Sequence, residues 1–208
     1  MSVSLAYKPA MTPQEFLAWE EKQEGRYEYL HGAIRAMSEG ARNPDNIRAM
    51  SGGSWNHNSI IQNISRHLGN QLNDKPCAVF SQGLQVQAAQ GDAYFYPDVG
   101  VICGEPTLIH NECTLLNPVL IMEVLSPSTE KRDRVRKLQA YQAIESLQEY
   151  VLVSQEVPVV ECFRRKGEAW EHHLIVGLEA VLRLESVGCE IPLAEIYERV
   201  QFPEEDEE

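Results

Sequence analysis

Two acids and one lysine stand where folding alone gives them little reason to be. Asp98 follows Tyr96-Pro97 at the head of an apolar run. Glu123 interrupts Val119-Leu120-Ile121-Met122 just before Val124-Leu125, and Lys137 lies in the basic segment that follows. A carboxylate among aliphatic neighbours loses hydration and has to recover it from a metal, a cation or hydrogen-bond donors. The acids are 25 positions apart (123 − 98), each on its own predicted strand, and neighbouring strands lie about 5 Å apart. At matching depth the two could share one divalent cation. Magnesium, or manganese, takes oxygen ligands and keeps several waters, so Asp98, Glu123, the carbonyl of Val124 and a substrate phosphate would suffice. The Lys137 ammonium would orient or help deprotonate an attacking water and offset charge building on the phosphate. That is the chemistry of metal-assisted phosphodiester hydrolysis. The competing reading of the same residues is a structural Glu123–Lys137 ion pair, with Asp98 a turn residue.

The surrounding elements have to bring these groups together. Thr12-Pro13-Gln14-Glu15 reads as a capped helix start, and Gly25 ends that helix. Arg26 to Met37 reads as a hairpin turning at His31-Gly32. In it Glu28 points to the face opposite Tyr27 and Tyr29, either inward or as a solvated glutamate. Ser38 to Ser54 has no apolar period and is expected to be a loop. Trp55 to Leu72 carries Ile60, Ile61, Ile64, Leu68 and Leu72 at helical spacing. His57 sits on the same stripe, as a site residue or as a packed or capping histidine.

A strand is expected over Val79–Gln87 and another from Tyr94 to Ile102. Pro97 marks an edge, a start or a bulge in the second. Gly104 to Pro118 is a connector. Val119–Leu125 is apolar enough to be buried on both faces. Ser126-Pro127-Ser128-Thr129 breaks it, and a helix over Asp133–Ile144 should turn Val135, Leu138, Tyr141 and Ile144 to the core. In that helix Lys137 and Tyr141 are one turn apart. Glu149–Ser154 is a further buried strand. Val157–Phe163 and Trp170–Val176 form a hairpin around Lys166-Gly167-Glu168, in which one of His172 and His173 faces solvent. Leu178–Leu184 adds a strand, and Pro192–Val200 closes the chain as a helix. This order predicts an α/β fold, one sheet with helices packed on it.

The 208 residues fit a single domain over 1–202 with an acidic, disordered tail over 203–208. No run approaches the roughly 20 apolar residues that span a bilayer, and no signal peptide is evident, so a cytoplasmic protein is expected. Five cysteines without a CxxC pair point to buried thiols rather than a disulfide framework or a zinc site. A net charge of −13 argues against a general nucleic-acid coat protein. Basic residues do cluster, at Lys131, Arg132, Arg134, Arg136 and Lys137 and again at Arg164, Arg165 and Lys166.

The segments YEYLHGAI, PDVGVI, PVLIMEVLSPST, RKLQAYQAI and EYVLV together resemble the Uma2-type restriction endonucleases, within the PD-(D/E)XK nuclease superfamily. The resemblance runs from about Thr12 to Val200. It implies a restriction-endonuclease-like mixed β-sheet flanked by helices, with a magnesium-dependent site that cuts DNA. Asp98 and Glu123 match the two acids of the superfamily pattern. The lysine usually two residues after the second acid is replaced here by Leu125, and Lys137 takes the role from the next helix. Glu28 matches an added N-terminal metal ligand, and His57 matches the histidine that begins the family's second helix. Gln82 and Tyr141 are possible supporting donors. A homodimer is expected from two-fold cutting. The alternatives are a catalytically inactive nuclease-fold interaction module and a small-molecule phosphodiesterase.

Overall fold

The computed structural model describes residues 11–37, 54–126, 130 and 133–203. The N-terminal run, most of the expected loop over Ser38–Ser54, the Pro127-Ser128-Thr129 break, Lys131, Arg132 and the acidic tail after Pro203 lie outside the described residues.

The chain opens with α1 (Pro13–Glu20), whose capping box has the Thr12 hydroxyl accepting from the Glu15 amide while the Glu15 carboxylate accepts from the Thr12 amide. The predicted hairpin follows as β1 (Arg26–Leu30) and β2 (Ala33–Met37). The long helix α2 (Trp55–Leu72) starts and stops where its apolar stripe does and buries Ile60, Ile61, Ile64, Leu68 and Leu72.

The next two expected strands each break in the middle. Val79–Gln87 becomes β3 (Cys77–Ser81) and β4 (Gln85–Ala88). Tyr94–Ile102 becomes β5 (Ala93–Phe95) and β6 (Val99–Cys103). Both breaks are passages between two sheets, because the strands divide between two six-stranded sheets and not one. The first sheet runs β2-β1-β5-β4-β8-β7, where β7 (Leu108–Ile109) and β8 (Thr114–Leu115) come from the expected connector. The second runs β12-β11-β10-β9-β6-β3. It contains β9 (Leu120–Leu125), β10 (Glu149–Ser154), β11 (Val159–Lys166) and β12 (Ala169–Val176). Pro97 marks a strand start: with no amide hydrogen to donate, it sits in the passage Tyr96-Pro97-Asp98.

At the centre of the second sheet β9 and β10 run parallel, and β6 and β11 flank them antiparallel. Both faces are covered, which is why β9 and β10 read as unbroken apolar runs. One core sets Val99, Val101, Leu120, Met122 and Val124 against the stripe of α2. The other sets Ile121, Leu125, Tyr150 and Leu152 against Val86 and Phe95 of the first sheet and against Tyr141 and Ile144. In Val181–Leu184 (β13) and Cys189–Pro192 (β14) the chain makes a separate two-stranded ribbon, then a single helical turn, α4 (Leu193–Ile196), where a longer helix was expected.

Two expectations fail here. A π-helical turn, Asp133–Lys137, precedes α3 (Leu138–Gln142). Its wider i→i+5 bonding shifts the phase of the helix, so Val135 is 52% exposed while Asp133 and Lys137 are buried. The cysteines are not all core thiols either. Cys77 and Cys103, opposite each other on β3 and β6, form a disulfide, and Cys113 is exposed; only Cys162 and Cys189 are buried thiols. Spacing could not reveal that pair, because the two meet only once β3 and β6 are in register.

The two arginines of the second basic cluster are partly buried and bonded within the chain, while Lys166 is exposed. Arg164 bonds Glu149 and Glu185, and Arg165 donates to the carbonyls of Leu147, Gln142 and Ile144 and lies over Trp170. Glu149, fully buried, accepts from Arg164 Nε at 2.9 Å, from the amides of Glu185 and Ser186 at 3.2 and 3.0 Å, and from the Ser186 hydroxyl. It anchors the turn of the β13–β14 ribbon to the sheet. Removing Glu149 leaves Arg164 its bond to Glu185 but strips the amides of Glu185 and Ser186 of their acceptor, at a cost of about 1–3 kcal/mol. Glu149→Ala should therefore lower the urea-unfolding midpoint by that equivalent, with an unchanged m-value.

Candidate active site

Register places the first two acids. Val99 pairs with Met122 across β6 and β9, and Asp98 lies just before β6, next to the end of that ladder. Glu123 shares the pleat face of Ile121 and Leu125, which looks toward the first sheet and α3; Asp98, outside the ladder, turns instead to His57 of α2. At the strand end Asp98 Oδ2 accepts from the Val124 amide at 2.8 Å and lies 3.4 Å from His57 Nε2. The sequence predicts the Val124 carbonyl as a metal ligand; what the structure shows is its N–H donating to Asp98 and fixing it.

Lys137 is buried and holds the centre. Its Nζ lies 2.8 Å from Glu123 Oε1, 3.0 Å from Glu28 Oε1 and 3.5 Å from Asp133 Oδ1. The Phe95 ring lies beneath it, 5.6 Å away. Tyr141 donates to Glu123 Oε1 at 3.1 Å, so the predicted one-turn pair Lys137 and Tyr141 converges on one carboxylate. Glu28 reaches the cluster from β1 in the other sheet. It is 2% exposed, because alternation that turns Tyr27 and Tyr29 toward α1 turns Glu28 inward. The structure thus brings together Glu28, Glu123 and Lys137, and places Asp98 with His57 alongside.

Sequence reasoning missed Asp133. It was legible only as the residue four before Lys137, the spacing that puts two side chains on one helical face. Its Oδ1 is buried and has no hydrogen-bond partner among the described residues. Gln82 is a correction in the other direction. It lies in the exposed turn between β3 and β4, and its carbonyl accepts from Arg26. The strand expected to carry it inward ends at Ser81.

The electrostatics follow from crowding. Burial pushes the Glu123 carboxyl up to about 8, against the pull of Lys137 and with the help of the Asp133 and Asp98 charges. Burial also raises Tyr141 well above the ordinary phenol range, reinforced by the Glu123 charge, so its hydroxyl remains a donor. Burial lowers His57, but its hydrogen bond and charge contact with Asp98, the backbone of Val124 and the charge of Asp133 outweigh that, and its pKa is raised.

Four carboxyl groups therefore face one ammonium and one imidazole. Their hard oxygens and excess negative charge are the donor chemistry a divalent ion such as magnesium takes. As placed, with Lys137 among them, no three His, Cys, Asp or Glu side chains of the described residues form a group that could hold a metal ion. Among the described residues no helix is long and apolar enough to cross a membrane.

The fold is mixed α/β, and Glu123 inside β9, Glu28 inside β1 and Asp133 in the π-helical turn gather around one lysine. Residues 13–194 match the Uma2 family, described as "Putative restriction endonuclease", and the chain belongs to that family. Two relatives from Synechocystis sp., each described as "Uncharacterized protein", are 33% identical. One matches over 197 residues, 93% of this chain and 95% of its own length; the other matches over 159 residues, 76% and 82%. A crystal structure from Anabaena variabilis, described as "a putative nuclease belonging to DUF820", shares the fold. Its TM-score is 0.69, over 90% of this chain and 97% of that one, at 17% identity.

The raised Glu123 pKa has a measurable sign. The folded state keeps a proton that the unfolded chain releases above its ordinary value of 4.5. Glu123 therefore contributes stability below about 4.5 that is lost as pH rises toward about 8. In chelator, Glu123→Gln should gain stability relative to wild type across that window and level off above it. Urea unfolding at stepped pH reads this out; a difference independent of pH would mean that the carboxyl is ionised throughout.

Proposed function

We propose that the chain is a metal-dependent endonuclease that hydrolyses DNA phosphodiester bonds. The observation that carries this reading is the convergence of Glu28, Glu123 and Asp133 on a buried Lys137, with Asp98 and His57 beside them. An ion pair that only held the fold together would need one acid for one lysine. A surplus of buried acids costs stability in the free protein and is understandable where a cation and a phosphate complete the charge balance.

Asp98, Glu123 and the backbone of Val124 would hold magnesium or manganese, with Glu28 as an added ligand. When bound, the ion would polarise the scissile phosphate and lower the pKa of a coordinated water. The protein supplies positioning. The Val124 amide fixes Asp98, and Tyr141 fixes Glu123. Glu28 and Asp133 steer the Lys137 ammonium, which sits beside Glu123 to orient the attacking water and offset phosphate charge. His57, its pKa raised beside Asp98, is placed to share a proton at the edge of the site. DNA is the proposed substrate and a homodimer the proposed assembly, in a cytoplasmic setting.

One observation favours the rival reading of an inactive nuclease-fold interaction module. Lys137 already occupies the space between the carboxylates, as a purely structural centre would require. Plasmid nicking with a magnesium titration separates the two. The nuclease reading predicts loss of about 100-fold or more in Asp98→Asn, Glu123→Gln and Lys137→Met, with folding retained by circular dichroism. Equal activity, or equal inactivity, in wild type and all three variants would support the module.

A further inference from the structure

The second sheet ends on a strand that lacks the usual protections. β12 is paired to β11 without a bulge from Val159↔Val176 to Lys166↔Ala169, and on its other side no strand adjoins it among the described residues. Natural edge strands are blunted by lysine, proline, bulges or shortness. β12 is eight residues long and has neither lysine nor proline. Leu174 and Val176 on one pleat face are 62% and 53% exposed, and Val157 and Leu178 beside its end are 50% and 44% exposed.

The hydrogen-bond phase shows what the edge offers. Gly177 N donates to Pro158 O at 2.9 Å, so in this antiparallel ladder the odd-numbered residues of β12 bond β11. The amides and carbonyls of Trp170, His172, Leu174 and Val176 point outward. We propose that a second copy of this chain pairs here, β12 against β12 about a two-fold axis at His172, joining the two six-stranded sheets into one.

The side chains select that register. An axis at His172 sets Trp170 opposite the copy's Leu174 and Glu171 opposite the copy's His173. His173 Nε2 is buried, has no hydrogen-bond partner among the described residues, and lies 3.5 Å from its own Glu171 carboxylate. The copy's Glu171 faces it in the close, non-hydrogen-bonded type of pair, with Cα atoms about 4.5 Å apart. Moving the axis to Glu171 sets two glutamates face to face, and moving it to His173 sets Glu171 against Ile175 and takes His173 away from the copy's carboxylate. An axis at Leu174 puts His173 against Ile175. The His172 register sets a carboxylate opposite an imidazole and an aromatic opposite an aliphatic side chain, combinations that stabilise adjoining strands, with His172 meeting its own copy at the axis.

The test uses the full chain and reads mass and cross-linking, so it is independent of cleavage. Light scattering after size exclusion should give the mass of two chains for wild type. Leu174→Pro, which removes an outward amide and leaves the ladder to β11 intact, should give one chain. Glu171→Lys should also give one chain, and Glu171→Lys with His173→Glu should restore two. In a Cys113→Ser background, His172→Cys meets its own copy at about 5.5 Å between Cα atoms, within disulfide range. It should cross-link under mild oxidant. Leu174→Cys, whose copy lies about 14 Å further along the strand, should not. A wild-type mass of one chain would overturn the proposal and leave the edge to another segment or another protein. A two-chain mass that survives Leu174→Pro, or cross-linking by Leu174→Cys rather than His172→Cys, would overturn it as well.

Discussion

The structure turns on one ammonium group in a poor solvent. Lys137 is taken out of water by Phe95 and by both sheets, and acidic side chains from three separate elements surround it. An isolated buried cation would be prohibitive. Removing the acids would strand the lysine, and removing the lysine would strand the acids. This reciprocity locks β1, β9 and the π-helical turn into one arrangement more firmly than their apolar contacts alone would. It also leaves a net negative centre, and a centre of that sign next to a strand end is where phosphate chemistry with a metal becomes feasible.

The elements are arranged to serve that group. Parallel pairing of β9 with β10 hides Glu123 in the middle of the second sheet, where bulk water cannot screen it. The passage at Tyr96-Pro97-Asp98 ends one sheet and begins the other, so Asp98 arrives where the ladder is open and its side chain can reach both Val124 and His57. Gly100, two residues on, lies under the Phe80 ring, where a Cβ would meet ring carbon at 2.3 Å. The strand can approach β3 this closely only without a side chain there. The π-helical turn then places Asp133 and Lys137 together on the buried side, at the expense of exposing Val135.

Much of this was legible from residue types. An acid inside an apolar run announced Glu123, and the helix and hairpin boundaries followed from capping and turn residues at Thr12, His31-Gly32 and Trp55. That Asp98 and Glu123 come from neighbouring stretches of one sheet could be anticipated; that Asp98 turns to His57 and Glu123 to Lys137 could not. The rest depended on partners distant in sequence. Nothing near residues 82–84 or 96–98 says that the chain changes sheets there, because both halves of each run have strand character. Asp133 looked like an ordinary helix start, and the phase shift of a π turn has no simple composition signal. The Cys77–Cys103 bond and the internal role of Arg164 and Arg165 likewise appear only once distant strands are in contact.

The origin of Glu28 carries a consequence of its own. It comes from the N-terminal hairpin in the first sheet, whereas Glu123 and Asp98 come from the second. The ammonium is therefore fully coordinated only while the two layers are seated against each other. A chain whose hairpin had peeled away would keep its main acids in place yet have an under-held, misdirected lysine. Under the nuclease function proposed above, layer docking is thus built into competence itself, and an incompletely assembled copy would lose activity before any separate inhibitor acted on it.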